Sequence, residues 1–71
     1  MGKGIKEITI GAVVRRAGGK EMLQSMGELA YDHFWKTFDH LATEAFKKGF
    51  NEIIEPDPTE VSDYLDNIQR R

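Results

Sequence analysis

His33, His40 and Glu44 are the side chains whose types and spacing most invite chemistry. The near repeat Asp32-His33-Phe34 and Asp39-His40-Leu41 sets two imidazoles seven residues apart, and a metal site is what such a pair suggests. On one helix that spacing means roughly 10 Å of axial rise, too far to share an ion, whereas a chelating pair needs i, i+3 or i, i+4. Only His40 and Glu44 are so placed. On a helical wheel both histidines and Glu44 fall with Thr37 on the polar face, so a solvated stripe with local ion pairs is expected, and the heptad echo reads as helix packing.

Other chemistries lack their residues. There is no cysteine, hence neither a disulfide framework nor a thiolate zinc site. Ser25 and Ser62 have no histidine at a spacing that suggests a relay. The glycines at 2, 4, 11, 18 and 19 match neither the Walker pattern nor the dinucleotide fingerprint. Asp57, Glu60, Asp63 and Asp66 lack the glycine turn and ligand spacing of a calcium loop, and are expected to cap and solvate a helix, with an acidic docking surface as the alternative. A non-enzymatic chain without cofactor or metal is the expectation.

The chain is 71 residues long with a net charge of -2. A domain of this size buries only about 60% of the surface its unfolded chain exposes. Its thin core is expected to be supplemented by a second copy, as a homodimer. No apolar run approaches the roughly 20 residues of a membrane span, and no signal-peptide pattern opens the chain, so no membrane association and a cytoplasmic location are expected. The charge is unevenly spread: residues 1–20 sum to +4 and the rest to -6, with Glu52, Glu55, Asp57, Glu60, Asp63 and Asp66 uninterrupted by any base.

Positioning falls to an expected all-α domain of three or four helices, organised as a basic N-terminal segment (1–19), a long helix (20–49), a connector (50–57) and a C-terminal helix (58–71). Residues 20–48 contain no proline and are rich in Leu, Met, Ala, Glu and Lys, and Gly49 after Lys47 and Lys48 supplies a C-terminal stop. Such a helix would be roughly 43 Å long, with Ser25-Met26-Gly27 as its expected break. At 100° per residue Leu23, Ala30, Phe34, Phe38, Leu41 and Ala45 share a core stripe. Tyr31, Trp35, Ala42 and Phe46 lie beside it and widen the apolar arc to roughly 160°. Either the C-terminal helix covers the excess, or Tyr31, Phe34, Trp35, Phe38 and Phe46 form a partner or dimer interface, where aromatic residues concentrate binding energy.

Asp57, Pro58 and Glu60 read as an N-cap, a first-position proline and the far side of a capping box; Val61, Tyr64, Leu65 and Ile68 follow as one apolar stripe, with Arg70 and Arg71 at the dipole's negative end. Phe50, Ile53 and Ile54 make an apolar connector, closed by a tight turn at Pro56. The N-terminal segment has two readings. With period two, Lys6–Arg16 is a strand facing Ile8, Ile10, Ala12 and Val14 one way, which would make an α+β domain paired across a dimer. With helical period, Thr9 is an N-cap, Ile10, Val13, Val14 and Ala17 are buried, and Gly18 ends the helix. The end residues favour the helix, while Gly11 and the Val13-Val14 pair oppose it.

The run Thr9-Ile10-Gly11-Ala12-Val13-Val14-Arg15-Arg16-Ala17-Gly18 resembles the first helix of the helix-turn-helix in MerR-like bacterial regulators. The resemblance covers ten residues and implies a turn followed by a recognition helix. Here Gly19-Lys20-Glu21-Met22-Leu23-Gln24-Ser25-Met26 follows, in which only Lys20, Gln24 and Ser25 suit groove contacts and Glu21 faces phosphate repulsion. Two functions are therefore expected as alternatives. The first is a small regulatory or adaptor protein, of the kind phages, plasmids and bacteria encode, that binds a larger protein. The second is a dimeric DNA-binding regulator with Lys6, Arg15, Arg16 and Lys20 as its nucleic-acid contacts.

Overall fold

The computed structural model describes residues 4–70. In chain order it contains β1 (Ile5–Glu7), α1 (Ile10–Arg16), α2 (Lys20–Met26), a 3-10 turn (Gly27–Leu29), α3 (Ala30–Lys47), β2 (Glu52–Ile54) and α4 (Pro58–Gln69). The chain is mainly helical, with one small two-stranded parallel sheet.

Thr9 settles the ambiguity of the N-terminal segment. Its backbone is extended and its Oγ1 accepts the Ala12 N–H at 3.2 Å, so the helical period takes over at Ile10. The strand reading of Lys6–Arg16 is corrected accordingly: only Ile5–Glu7 are extended, and their partner is β2 of the same chain, in the register Ile5↔Glu52, Lys6↔Ile53, Glu7↔Ile54. A parallel pair needs a long crossover, and α1 to α3 supply it. The sheet also corrects the all-α expectation and turns part of the 50–57 connector into a strand.

α1 ends in a Schellman motif. Gly19 N–H reaches Val14 O at 2.8 Å and Gly18 N–H reaches Arg15 O at 3.3 Å, with Gly18 at φ 114°. A Cβ at Gly18 would lie 2.9 Å from Met22 Cβ and Cγ, so both conformation and space require glycine there. The long helix expected over 20–49 is divided at the anticipated place. Gly27 takes φ 58° and ψ -125°, outside the helical region, and a 3-10 turn joins α2 to α3. α3 closes after Lys47 with Phe50 N–H on Ala45 O at 3.1 Å and Gly49 N–H on Phe46 O at 3.0 Å, the same motif as in α1.

α4 starts as its punctuation predicts, with Pro58 in the first turn, but the cap differs in detail. Asp57 Oδ1 accepts Thr59 N–H at 2.8 Å, and Glu60 makes no reciprocal bond to Asp57, so this is a simple N-cap rather than a capping box. The helix ends at Gln69, Arg70 pairs with Asp66, and Arg71 lies outside the described residues.

The core joins all four α-helices. Ile8, Val13, Val14, Ala17, Leu23, Ala30, Phe34, Phe38, Val61 and Leu65 are buried together, and Ala45 is buried at the far end of α3. Of the predicted α3 stripe only Leu41 stays half-buried. Each fully buried Phe, Leu or Val contributes about 1.5–3 kcal/mol relative to exposure, so Phe34, Leu23, Val13 and Val61 are the principal anchors.

Candidate nucleic-acid interface

Residues 10–26 form two seven-residue helices separated by Ala17-Gly18-Gly19, a three-residue turn with two glycines. Val13, Val14 and Leu23 turn inward and hold the pair against α3, which leaves the opposite faces in solvent. On α1 that face carries Arg15; on α2 it carries Lys20, Glu21, Met22 and Ser25, with Gln24 half-buried. Ser25 Oγ donates to Met22 O at 2.7 Å, so its hydroxyl is engaged with its own helix.

The four cations read as nucleic-acid contacts part company. Arg15 and Lys20 form no side-chain ion pair or hydrogen bond among the described residues. Lys6 lies in β1 with its Nζ 5.8 Å from the centroid of the Phe50 ring, within cation–π range. Arg16 is committed to α3: Nη1 donates to Glu44 Oε1 at 3.3 Å and Nη2 donates to Glu44 Oε2. The bond to Glu44 raises the Arg16 pKa, and the same bond holds the Glu44 carboxyl below its usual range. Glu44, expected on a solvated stripe with local ion pairs, pairs instead across elements, where the guanidinium fork of Arg16 offers its carboxylate two donors in one plane.

The expected polar stripe on α3 is also revised. Thr37 is buried, and its Oγ1 donates to His33 O at 2.8 Å, satisfying the hydroxyl within its own helix. His33 is half-buried with Nε2 3.0 Å from Ala17 O, an acceptor, so this nitrogen carries the proton and caps the last turn of α1. His40 remains exposed. Among the described residues no group of three or more His, Asp or Glu is arranged to hold a metal ion.

The aromatic face divides as well. Phe34 and Phe38 are buried at 0% and 7% exposure, which corrects their placement in a partner interface: α1 and α4 close over the α3 stripe and take them into the core. Trp35 is half-buried, edge-on to Phe34 at 5.2 Å, to Phe38 at 5.5 Å and to Tyr31 at 6.3 Å. Its buried Nε1 has no acceptor among the described residues. Tyr31 and Phe46, near opposite ends of α3, are 44% and 52% exposed, and Leu29 ahead of the helix is 65% exposed. α4 covers part of the arc through Val61 and Leu65, and burial of Tyr64 pushes its phenol pKa up.

A feature that sequence reading missed is a groove of about 310 Å³ between β1, α1 and α3, floored by Ile8, Ala12, Leu41 and Ala45. Its residues come from four separate stretches, and no local pattern joins them. No helix among the described residues is long and apolar enough to cross a membrane. No family model matches this chain, and no curated protein or solved structure is significantly similar to it.

Proposed function

We propose that the chain is a small, non-enzymatic, cytoplasmic regulator that binds DNA through the α1–α2 unit, acting as a homodimer. The observation that carries the reading is the pair of short helices about a three-residue glycine turn, with Arg15 and Lys20 on its solvent side and without ion-pair partners among the described residues. In helix-turn-helix proteins the second helix presents its first turns to the major groove, so Lys20 and Gln24 are the proposed contacts of α2 with bases and phosphates, against the repulsion that Glu21 contributes. Arg15 and Lys6 flank them as backbone contacts, and Arg16 acts from within its pair with Glu44 as a brace for α1.

The test is fluorescence anisotropy of a labelled mixed-sequence duplex titrated with protein at low and moderate salt. Three phosphate contacts give a slope of log K against log salt of about -2 to -3. Arg15→Glu combined with Lys20→Glu removes binding while circular dichroism stays unchanged, since both residues are exposed. No binding at low salt, or binding indifferent to that double change, overturns the reading.

A second reading, a regulator that docks on a larger protein, is favoured by the exposed Leu29, Tyr31 and Phe46 and by acidic α4, whose Glu60, Asp63 and Asp66 are exposed. Tyr31→Ala and Phe46→Ala would then weaken capture of that partner and leave DNA untouched.

A further inference from the structure

We propose that the groove between β1, α1 and α3 is a binding site for a small organic anion, one carboxylate or phosphate group carried on a short apolar body. At about 310 Å³ it sits at the lower end of ligand-pocket sizes, enough for a ring or short chain rather than a nucleotide. Its floor is apolar: Ile8 and Ala45 are buried and Leu41 is half-buried. Its rim is cationic at three points, Lys6 from β1, Arg16 from α1 and Lys48 from the end of α3. Lys6 holds its ammonium over the Phe50 ring. Glu7 also lines the groove, so two carboxylates, Glu7 and the Arg16-bound Glu44, stand against the three cations and the lining keeps one net positive charge.

Glu44 gives the site its particular character. Its carboxylate lies at the groove wall and holds the Arg16 fork in the geometry an incoming carboxylate or phosphate would use. A bound anion meets Lys6 and Lys48 directly and competes with Glu44 for Arg16, while its apolar body rests on Leu41 and Ala45. The site shares Lys6 with the proposed DNA surface, but the cations of the turn, Arg15 and Lys20, are not part of its lining.

The experiment is a two-dimensional 1H-15N titration of the full chain with phenyl phosphate, inorganic phosphate and phenol as separate probes. Phenyl phosphate is expected to give saturable shifts at Ile8, Ala12, Leu41 and Ala45 with a millimolar or tighter Kd, about tenfold below that of inorganic phosphate or phenol. Lys48→Ala, at an exposed position, weakens binding about threefold to tenfold, whereas Glu44→Gln tightens it by releasing Arg16. Equal affinity for phosphate and phenyl phosphate, shifts that spread to Arg15 and Lys20, or no saturation would each overturn the proposal.

Discussion

Arg16 on α1 and Glu44 on α3, 28 residues apart in sequence, join through two parallel guanidinium–carboxylate bonds, one of them Nη1 to Oε1 at 3.3 Å. This is the only ion pair among the described residues that links different elements; Lys36–Asp32 and Arg70–Asp66 are i, i+4 pairs within one helix. It fixes the first helix of the turn unit to the scaffold and closes one wall of the groove.

Its pH dependence has a definite sign. Bonding to Arg16 lowers the folded-state pKa of Glu44, so the pair's contribution is complete above the unfolded carboxylate value of about 4.3 and is lost as pH falls through the lowered value. Arg16 stays protonated throughout. Wild type is therefore expected to melt above Glu44→Gln at neutral pH, and the gap should close in acid. Thermal melts followed by circular dichroism from about pH 7 to about pH 2.5 check this, and a gap indifferent to pH contradicts it.

Phe34 and Phe46, both aromatic residues of α3, should respond oppositely to truncation. Phe34 is fully buried, so Phe34→Ala removes about 3–5 kcal/mol, most of what a domain of this size possesses. Phe46 is 52% exposed, and Phe46→Ala should shift stability by about 1 kcal/mol or less. Urea unfolding of both variants measures the contrast; comparable losses would mean that Phe46 is covered in solution, as a homodimer through this face requires.

The turn makes an equally direct prediction. Gly18→Ala is expected to cost more than about 1 kcal/mol, because φ 114° is disfavoured for L residues and the new methyl meets Met22 at 2.9 Å. Gly11, inside α1 with only Thr9 Oγ1 at 4.0 Å from its would-be Cβ, should gain about 0.5–1 kcal/mol as alanine. Denaturant midpoints of the two variants should move in opposite directions.

What the chain discloses locally is what its structure carries out locally. Thr9, Gly18, Asp57 and Gly49 each mark a helix end through bonds to neighbours a few residues away, and Pro58 through its fixed φ in the first turn, so types and spacing suffice to place them. The period of α3 likewise locates its core stripe. What escapes is non-local. Strand β1 has three residues, too few to show alternation, and exists because β2, 47 positions later, pairs with it. Wheel geometry puts Thr37 and His33 on a polar face, yet α1 packs close enough for Ala17 O to accept a hydrogen bond from the imidazole N–H. The wheel also cannot say that α1 and α4 close over Phe34 and Phe38 but leave Tyr31 and Phe46 outside. The Lys6–Arg16–Lys48 rim joins three elements that only the fold brings together.

Gln69 supplies the strongest test of how α4 is held to the turn unit. Its Nε2 donates to Leu23 O at 3.1 Å and to Gly27 O at 3.4 Å, carbonyls at the broken C-terminus of α2, where Gly27 O also accepts the Ala30 N–H. Both partners are acceptors, so the side chain must present donors. Gln69→Ala leaves the carbonyls to solvent and should cost about 0.5–1.5 kcal/mol. Gln69→Glu keeps the shape but turns a carboxylate toward two carbonyls at the negative end of a helix, and should cost more than alanine at neutral pH. The glutamate's folded pKa is then raised, so the excess penalty is fully present well above that pKa and disappears as acidification restores an O–H donor. Urea unfolding of the two variants at about pH 7 and about pH 4 should show glutamate below alanine in the first case and level with it or above in the second. An order that does not change with pH would mean that Gln69 supports the structure through its methylenes and not through its amide.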